Sequence, residues 1–234
     1  RSNFKKALEL DPVNETAISG LEAVQKSTYP ELYHAEQAYK KGDYKTSARA
    51  YSDYLDEIGE ASPNSEIIRN AYNGLGWSLY YKKQYAMAIN KFEKNLDHPE
   101  LRFESAKGLG LSYFQLANYR KAAEYLQLAD NLQHNNREIV PLLDWSILRS
   151  MQAEKSEDYF KEALMNNPLR YSAYLGLGWI NYKNNKPDLG VEYFLKAISL
   201  DPDFALTNEF ANMMDQEKFG WQIYNRLGWA YYHR

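Results

Sequence analysis

Four tryptophans and one leucine recur along this sequence and are the side chains best suited to contact a ligand. Trp77, Leu111, Trp145 and Trp179 follow one another at one constant interval, and Trp229 follows Trp179 at a longer interval. Exposed aromatic rings stack on sugar rings, prolines and other aromatic groups, and their N–H or O–H groups add hydrogen bonds. Aromatic residues at helical spacing also pack in cores, so a binding role and a structural role both stay open.

Residue types that carry out covalent chemistry are not arranged for it. The histidines are scattered, at His34, His98, His134 and His233, and none has a metal-ligand spacing such as HExxH. The chain has no cysteine, which excludes disulfides, thiol catalysis and Cys-ligated zinc. We therefore predict no enzymatic activity, no catalytic residues, no cofactor and no bound metal.

Composition limits the kinds of partner. The 234 residues carry a net charge of −3, which gives no reason to expect nucleic acid. No apolar run approaches the roughly 20 residues of a membrane-spanning helix, so we predict no membrane insertion. A cytoplasmic and a bacterial periplasmic location are both compatible with the sequence.

The tryptophans belong to a repeat that must position them. A leucine stands two residues before each of the first four positions, at Leu75, Leu109, Leu143 and Leu177. A glycine follows three of these leucines, and Asp144 follows the other. Later in each unit stand Phe92, Leu126, Phe160 and Phe194, again at the same constant interval. Four aligned units, each of about 34 residues, predict a stacked helical array.

This pattern resembles the tetratricopeptide repeat (TPR). Tyr72-x-x-Leu75-Gly76 matches the opening of its consensus, and Tyr85-x-x-Ala88-x-x-x-Phe92 matches its second half. The resemblance implies an all-α fold, a right-handed superhelix of stacked antiparallel helix pairs. It says little about function, since TPR arrays serve unrelated partners.

The repeat spacing divides the chain into segments. We expect a partial repeat and a following helix at 1–27, an irregular TPR unit at 28–59, an inter-repeat loop at 60–68, four regular units at 69–204, an insertion at 205–220 and the first helix of a further unit at 221–234. The loop has two interpretations, a hinge or a surface insertion. Pro141 lies about five residues into a predicted helix, which favours a kink or a later helix start.

The resemblance also implies which residues line a groove. In the TPR fold, the second, fifth, ninth, twelfth and thirteenth residues of each unit point into the concave side. The candidate ligand-binding residues are Asn73, Trp77, Tyr80, Lys107, Phe114, Trp145, Arg149, Trp179, Tyr182, Lys183, Trp229 and Tyr232. The family does not require Trp at the ninth residue, so this aromatic stripe is a feature of the present sequence.

Two functional hypotheses follow from the stripe. The first is a non-catalytic scaffold whose groove binds a partner protein or peptide. The alternative is a polysaccharide-binding array, since TPR proteins occur in the bacterial cell envelope and in exopolysaccharide export. A glycan site predicts open, coplanar indole faces, whereas a peptide site predicts Asn pairs and separate apolar pockets. End-to-end self-association of the array is a third interpretation.

Overall fold

The structure consists of helices joined by short turns. The computed structural model describes residues 2–58, 65–134, 136–150 and 153–200, and these residues include no strand, as the all-α prediction requires. Among the described helices, none combines the length and the apolar character needed to cross a membrane. The chain divides into two compact units, residues 1–116 and residues 117–234. The predicted insertion at 205–220 and the predicted helix at 221–234 lie outside the described residues.

The described part of the first unit is a row of helices that pack on their neighbours. The helices are α1 Ser2–Leu10, α2 Glu15–Thr28, α3 Pro30–Lys40, α4 Tyr44–Ile58, α5 Glu66–Tyr81, α6 Tyr85–Phe92 and α7 Arg102–Gln115, with a 3-10 turn, Glu93–Asn95, after α6. Consecutive helices contact each other, and α5 also contacts α3 and α7. This is the packing that stacked helix pairs produce, since the first helix of each pair meets the first helix of the next.

The described part of the second unit repeats this arrangement. Its helices are α8 Tyr119–Leu132, α9 Val140–Ser150, α10 Ala153–Asn166, α11 Tyr171–Lys183 and α12 Pro187–Leu200. Helix α9 packs on α8, α10 and α11, and α11 packs on α10 and α12. Pro141 is the second residue of α9, so the helix starts late, as the proline predicts. A proline in the first turn removes no helical hydrogen bond.

Among the described residues, four turns between consecutive helices each hold one residue in the left-handed conformation. Gly42 has φ 78°, and Lys83, Ala117 and Asn185 have φ between 54° and 60°. Each stands two residues before the tyrosine or proline that opens the second helix of its pair. A residue in the left-handed conformation ends a helix, and the N–H groups that follow can then bond to the last helical carbonyls.

Side-chain caps fix several helix starts. Asn14 Oδ1 accepts a hydrogen bond from the Ala17 amide at 2.9 Å, and Asp43 Oδ1 accepts one from the Thr46 amide at 3.1 Å. Ser65 Oγ accepts one from the Ile68 amide at 3.3 Å. The Ser65 cap explains why α5 begins at Glu66, inside the segment 60–68 predicted as a loop.

The core of each unit is built from aromatic rings set against glycines. Phe92 is completely buried, and a Cβ atom at Gly76 would lie 2.7 Å from its ring. At Gly108 the distance would be 2.5 Å. Phe160 is equally buried and lies against Gly176. Because helices approach this closely only where no side chain intervenes, the repeated glycines are sites of helix packing.

Candidate functional site

Two helices of the first unit turn a polar and aromatic face toward the same space. On α5, Asn70, Asn73 and Trp77 are three and four residues apart and therefore share one face. On α3, Glu36 and Tyr39 share a face for the same reason. All five line one cavity. The cavity thus lies between the first helices of two successive helix pairs.

The cavity has a volume of about 660 Å³. Small ligands and side chains commonly bind in clefts of about 300–1,000 Å³. Helix α2 contributes Val24 and Thr28 to the lining. The other lining residues are Tyr29, Leu32, Tyr51, Ile67, Ala71 and Gly74.

Tyr51 and Gly74 form part of the cavity lining together. Tyr51 reaches in from α4 and is 6% exposed. Its ring occupies the space that a Cβ atom at position 74 would need, so only glycine leaves room for it there. This contact packs α4 closely against α5 beside the cavity.

Aromatic contacts fix the orientation of Trp77 and Tyr39. The Trp77 ring meets the Phe92 ring edge-on with centroids 5.1 Å apart, and Lys107 Nζ lies 5.9 Å from its centre. The Tyr39 ring lies 6.0 Å from the ring of Tyr81. Such edge contacts hold rings in place without covering them completely. Both Trp77 and Tyr39 are half-buried.

The polar groups of the cavity include a buried amide oxygen and a carboxylate. Asn73 Oδ1 is buried and has no hydrogen-bond partner among the described residues. Glu36 is half-buried in the same lining. Burial raises the pKa of the Tyr51 hydroxyl, and the negative charge of Glu36 raises it further. The charge of Glu36 therefore disfavours ionisation of the Tyr51 hydroxyl.

Comparison with known proteins supports the repeat family. Residues 148–203 match the tetratricopeptide repeat. Of the solved structures, one of the protein MamA is 21% identical, with a TM-score of 0.60, over 78% of this chain and 96% of that chain. A structure of YrrB, described as a TPR protein with an unusual peptide-binding site, is 20% identical, with a TM-score of 0.60, over 89% of this chain and 97% of that chain. The chain has the TPR fold, and its residues 148–203 match the repeat itself.

Further comparisons place limits on this similarity. A MamA structure from Desulfovibrio magneticus RS-1 is 16% identical, with a TM-score of 0.57, over 73% of this chain and 93% of that chain. Identities this low show a shared fold alone. No curated protein matched the sequence. The predicted fold class, TPR helix pairs, is confirmed.

The TPR register brings some predicted residues of the first unit to the cavity. Asn73 and Trp77 line it. Tyr80 is half-buried beside Tyr85, with ring centroids 5.5 Å apart, and is not in the lining. Lys107 contacts Trp77 from α7, and Phe114 is half-buried on the same helix. Two of the predicted residues, Asn73 and Trp77, therefore line the cavity, and a third, Lys107, contacts Trp77.

In the second compact unit, residues 117–234, Trp179 is a core residue. It is 7% exposed and belongs to a buried cluster with Val191 and Phe194. Lys183 Nζ lies 4.8 Å from the centre of its ring, and the Tyr182 ring stacks on it at 6.5 Å. These contacts leave little of the Trp179 ring for a ligand, so we omit it from the candidate site.

The other predicted residues of the second compact unit differ in how far they are buried. Trp145 is half-buried and packs against the cluster that contains Trp179. Arg149 is exposed, with its guanidinium 5.7 Å from the centre of the Tyr119 ring. Trp229 and Tyr232 lie outside the described residues. Within the described ranges, no group of three or more His, Asp or Glu side chains is placed to bind a metal.

The sequence-based prediction missed the α3 side of the cavity, namely Tyr29, Leu32, Glu36 and Tyr39. Tyr85 follows Tyr44 at an interval longer than one regular repeat, and the candidate residues were taken only from the regular units and the helix at 221–234, which left out the α3 side. Counting back from Gly42 would have recovered it. Gly42 takes the left-handed turn position that Lys83 takes in the next pair, so it fixes which residues of α3 face inward.

Proposed function

We propose that this TPR protein is a non-catalytic scaffold and that the cavity of its first unit binds an extended segment of a partner protein. A scaffold that binds other proteins is the function class that the TPR fold supports. The observation that carries the proposal is the unpartnered Oδ1 of Asn73, a residue that lines a cavity of about 660 Å³ between two successive inner helices. A buried acceptor without a donor is costly, and a ligand N–H would satisfy it.

The lining suits a peptide chain. Asn70 and Asn73 each carry a carbonyl and an NH₂ group, which match the alternating donors and acceptors of an extended backbone. Leu32, Tyr39 and Trp77 offer apolar surface for side chains. The YrrB structure, with its peptide-binding site, indicates that a related fold supports such a function.

A polysaccharide site receives less support from the geometry. It would require indole faces that are open to a sugar ring. Trp77 is half-buried against Phe92, and Trp179 is 7% exposed. We therefore propose a peptide as ligand. End-to-end self-association stays a prediction, which analytical ultracentrifugation over a range of protein concentrations would test.

Selection from a phage-displayed library of short linear peptides tests the proposal. Enriched peptides, labelled with fluorescein, are titrated with the full chain, and binding is read as fluorescence anisotropy. We expect saturable binding that Asn73→Ala weakens by about fivefold or more, because the variant removes a buried hydrogen-bond partner. Soluble oligosaccharides should not compete.

Asn90→Ala is the matched control, since Asn90 is exposed on α6 and is not in the cavity lining. It should bind the peptides as the unmodified chain does. Circular dichroism establishes that both variants are folded. Failure to enrich any peptide, or equal binding by Asn73→Ala and Asn90→Ala, would refute the proposed site.

A further inference from the structure

The charge distribution of the cavity indicates which partner side chain it takes. We infer that the cavity selects a cationic side chain, Arg or Lys, from the bound peptide, with Glu36 and Asn73 as its acceptors. This inference rests on the proposed function, because it specifies the ligand of the same site.

Glu36 supplies the charge. It is the one residue with a formal charge at neutral pH among the described residues that line the cavity. It lies on α3 between Leu32 and Tyr39, one helical turn from each, and is half-buried. A carboxylate has about four lone-pair sites, so contacts that Glu36 already makes leave room for further N–H donors.

Asn73 Oδ1 supplies a second acceptor from the opposite helix. It is buried and has no partner among the described residues. Guanidinium and ammonium groups donate hydrogen bonds and accept none, so they match two acceptors that face one cavity. An apolar side chain would leave Asn73 Oδ1 unpaired, and a carboxylate would meet the like charge of Glu36.

The aromatic lining favours a cation as well. The rings of Tyr39, Tyr51 and Trp77 all contribute to the cavity wall. A cation within about 6 Å of the face of an aromatic ring is attracted by the ring quadrupole.

The test uses the full chain and the library of short linear peptides. Enriched sequences should contain Arg or Lys at one fixed position. A selected peptide is then synthesised with Arg and with citrulline, the uncharged analogue of similar shape, at that position. We expect the Arg peptide to bind about tenfold more tightly, because a charge-assisted hydrogen bond is stronger than a neutral one.

Glu36→Gln should remove most of this preference while citrulline-peptide binding stays within about twofold, because only the charge-assisted part of the binding is lost. Glu31→Gln is the matched control. Glu31 lies on the same helix and is exposed outside the lining, so Glu31→Gln should keep the preference. Peptides that bind and depend on Asn73 without any Arg or Lys preference would overturn the inference and leave the proposed function intact. Absence of any enriched peptide would overturn both.

Discussion

Asp144 and Arg170 form a buried ion pair at a place where the other repeats have glycine. Arg170 Nε donates to Asp144 Oδ2 at 2.9 Å, and Arg170 Nη2 donates to Oδ1 at 2.5 Å. The Arg170 side chain is 12% exposed and that of Asp144 is 2% exposed. Tyr159 and Ser172 donate further hydrogen bonds to the same carboxylate. The pair links α9 to the start of α11, so the departure from the repeat pattern has a structural role.

Replacing Asp144 tests the contribution of this pair. Asp144→Ala leaves the Arg170 guanidinium buried without its counter-charge, which should lower the free energy of unfolding by about 3–5 kcal/mol. Urea denaturation followed by circular dichroism measures the change. Glu162→Ala on the exposed side of α10 is the control and should change it by less than about 0.5 kcal/mol. Equal stability of the two variants would contradict the assigned role.

Gly108→Ala tests the close approach of α7 to Phe92. Helix propensity alone predicts that alanine stabilises α7 by about 1 kcal/mol. Steric overlap with the Phe92 ring predicts the opposite, a net loss of about 1–3 kcal/mol. Thermal denaturation decides by the sign of the change. The same substitution in a Phe92→Leu background should cost less, and additive effects of the two changes would argue against direct contact.

Lys83→Gly should stabilise the first unit. Lys83 has φ 60°, a conformation that is costly for an L-residue and almost free for glycine. We expect a gain of about 0.5–1 kcal/mol after the entropy of the unfolded glycine is counted. Lys82→Gly is the matched control, because Lys82 has φ −76° and should lose stability. Urea denaturation of both variants under the same conditions measures their free energies of unfolding. A lower value for Lys83→Gly than for the unmodified chain would refute the prediction.

The ion pair of Arg69 and Asp97 should make stability depend on acid pH. The Arg69 guanidinium donates to both carboxylate oxygens, at 2.8 Å and 3.2 Å, and this lowers the pKa of Asp97 below its ordinary value of 3.8. Because the folded pKa is the lower one, the pair stabilises the fold above the unfolded pKa of about 3.9. That contribution is lost as the pH falls through the folded pKa.

NMR titration of the Asp97 carboxyl group measures this effect directly. Arg69→Gln should return the pKa toward 3.8 and flatten the acid limb of the stability profile. Arg102→Gln, a change at an exposed position of α7, should leave the Asp97 pKa where it was. An unchanged Asp97 pKa in Arg69→Gln would show that another group lowers it.

The helix pairs were predictable because they depend on local periodicity. Phe92, Leu126, Phe160 and Phe194, selected by their constant spacing, are all completely buried. Pro141 lies in the first turn of α9, in agreement with the later helix start that the proline predicts. Each of these features depends on residues within one or two turns of the chain, so a single sequence contains the required information.

The environment of the candidate site was less predictable because it depends on packing between elements. Trp77 and Trp179 occupy the same place in the repeat, yet Trp77 lines a cavity and Trp179 is buried with Val191 and Phe194. The partner of Asp144 is Arg170, which lies far along the chain in the turn before α11. Repeat spacing identifies equivalent positions but not the neighbours that each position acquires.

The contacts between aromatic rings and glycines reveal where this array tolerates changes in length. Phe92 meets Gly108, and Phe160 meets Gly176, with the same length of chain between ring and glycine in both pairs. Tyr51 makes the equivalent contact with Gly74 across a longer stretch of chain. The additional residues therefore lie between α4 and α5, where one helix pair is joined to the next. The contact between ring and glycine is kept. Such connections are natural points for evolution, or an engineer, to insert a loop or a whole domain without disturbing the stack.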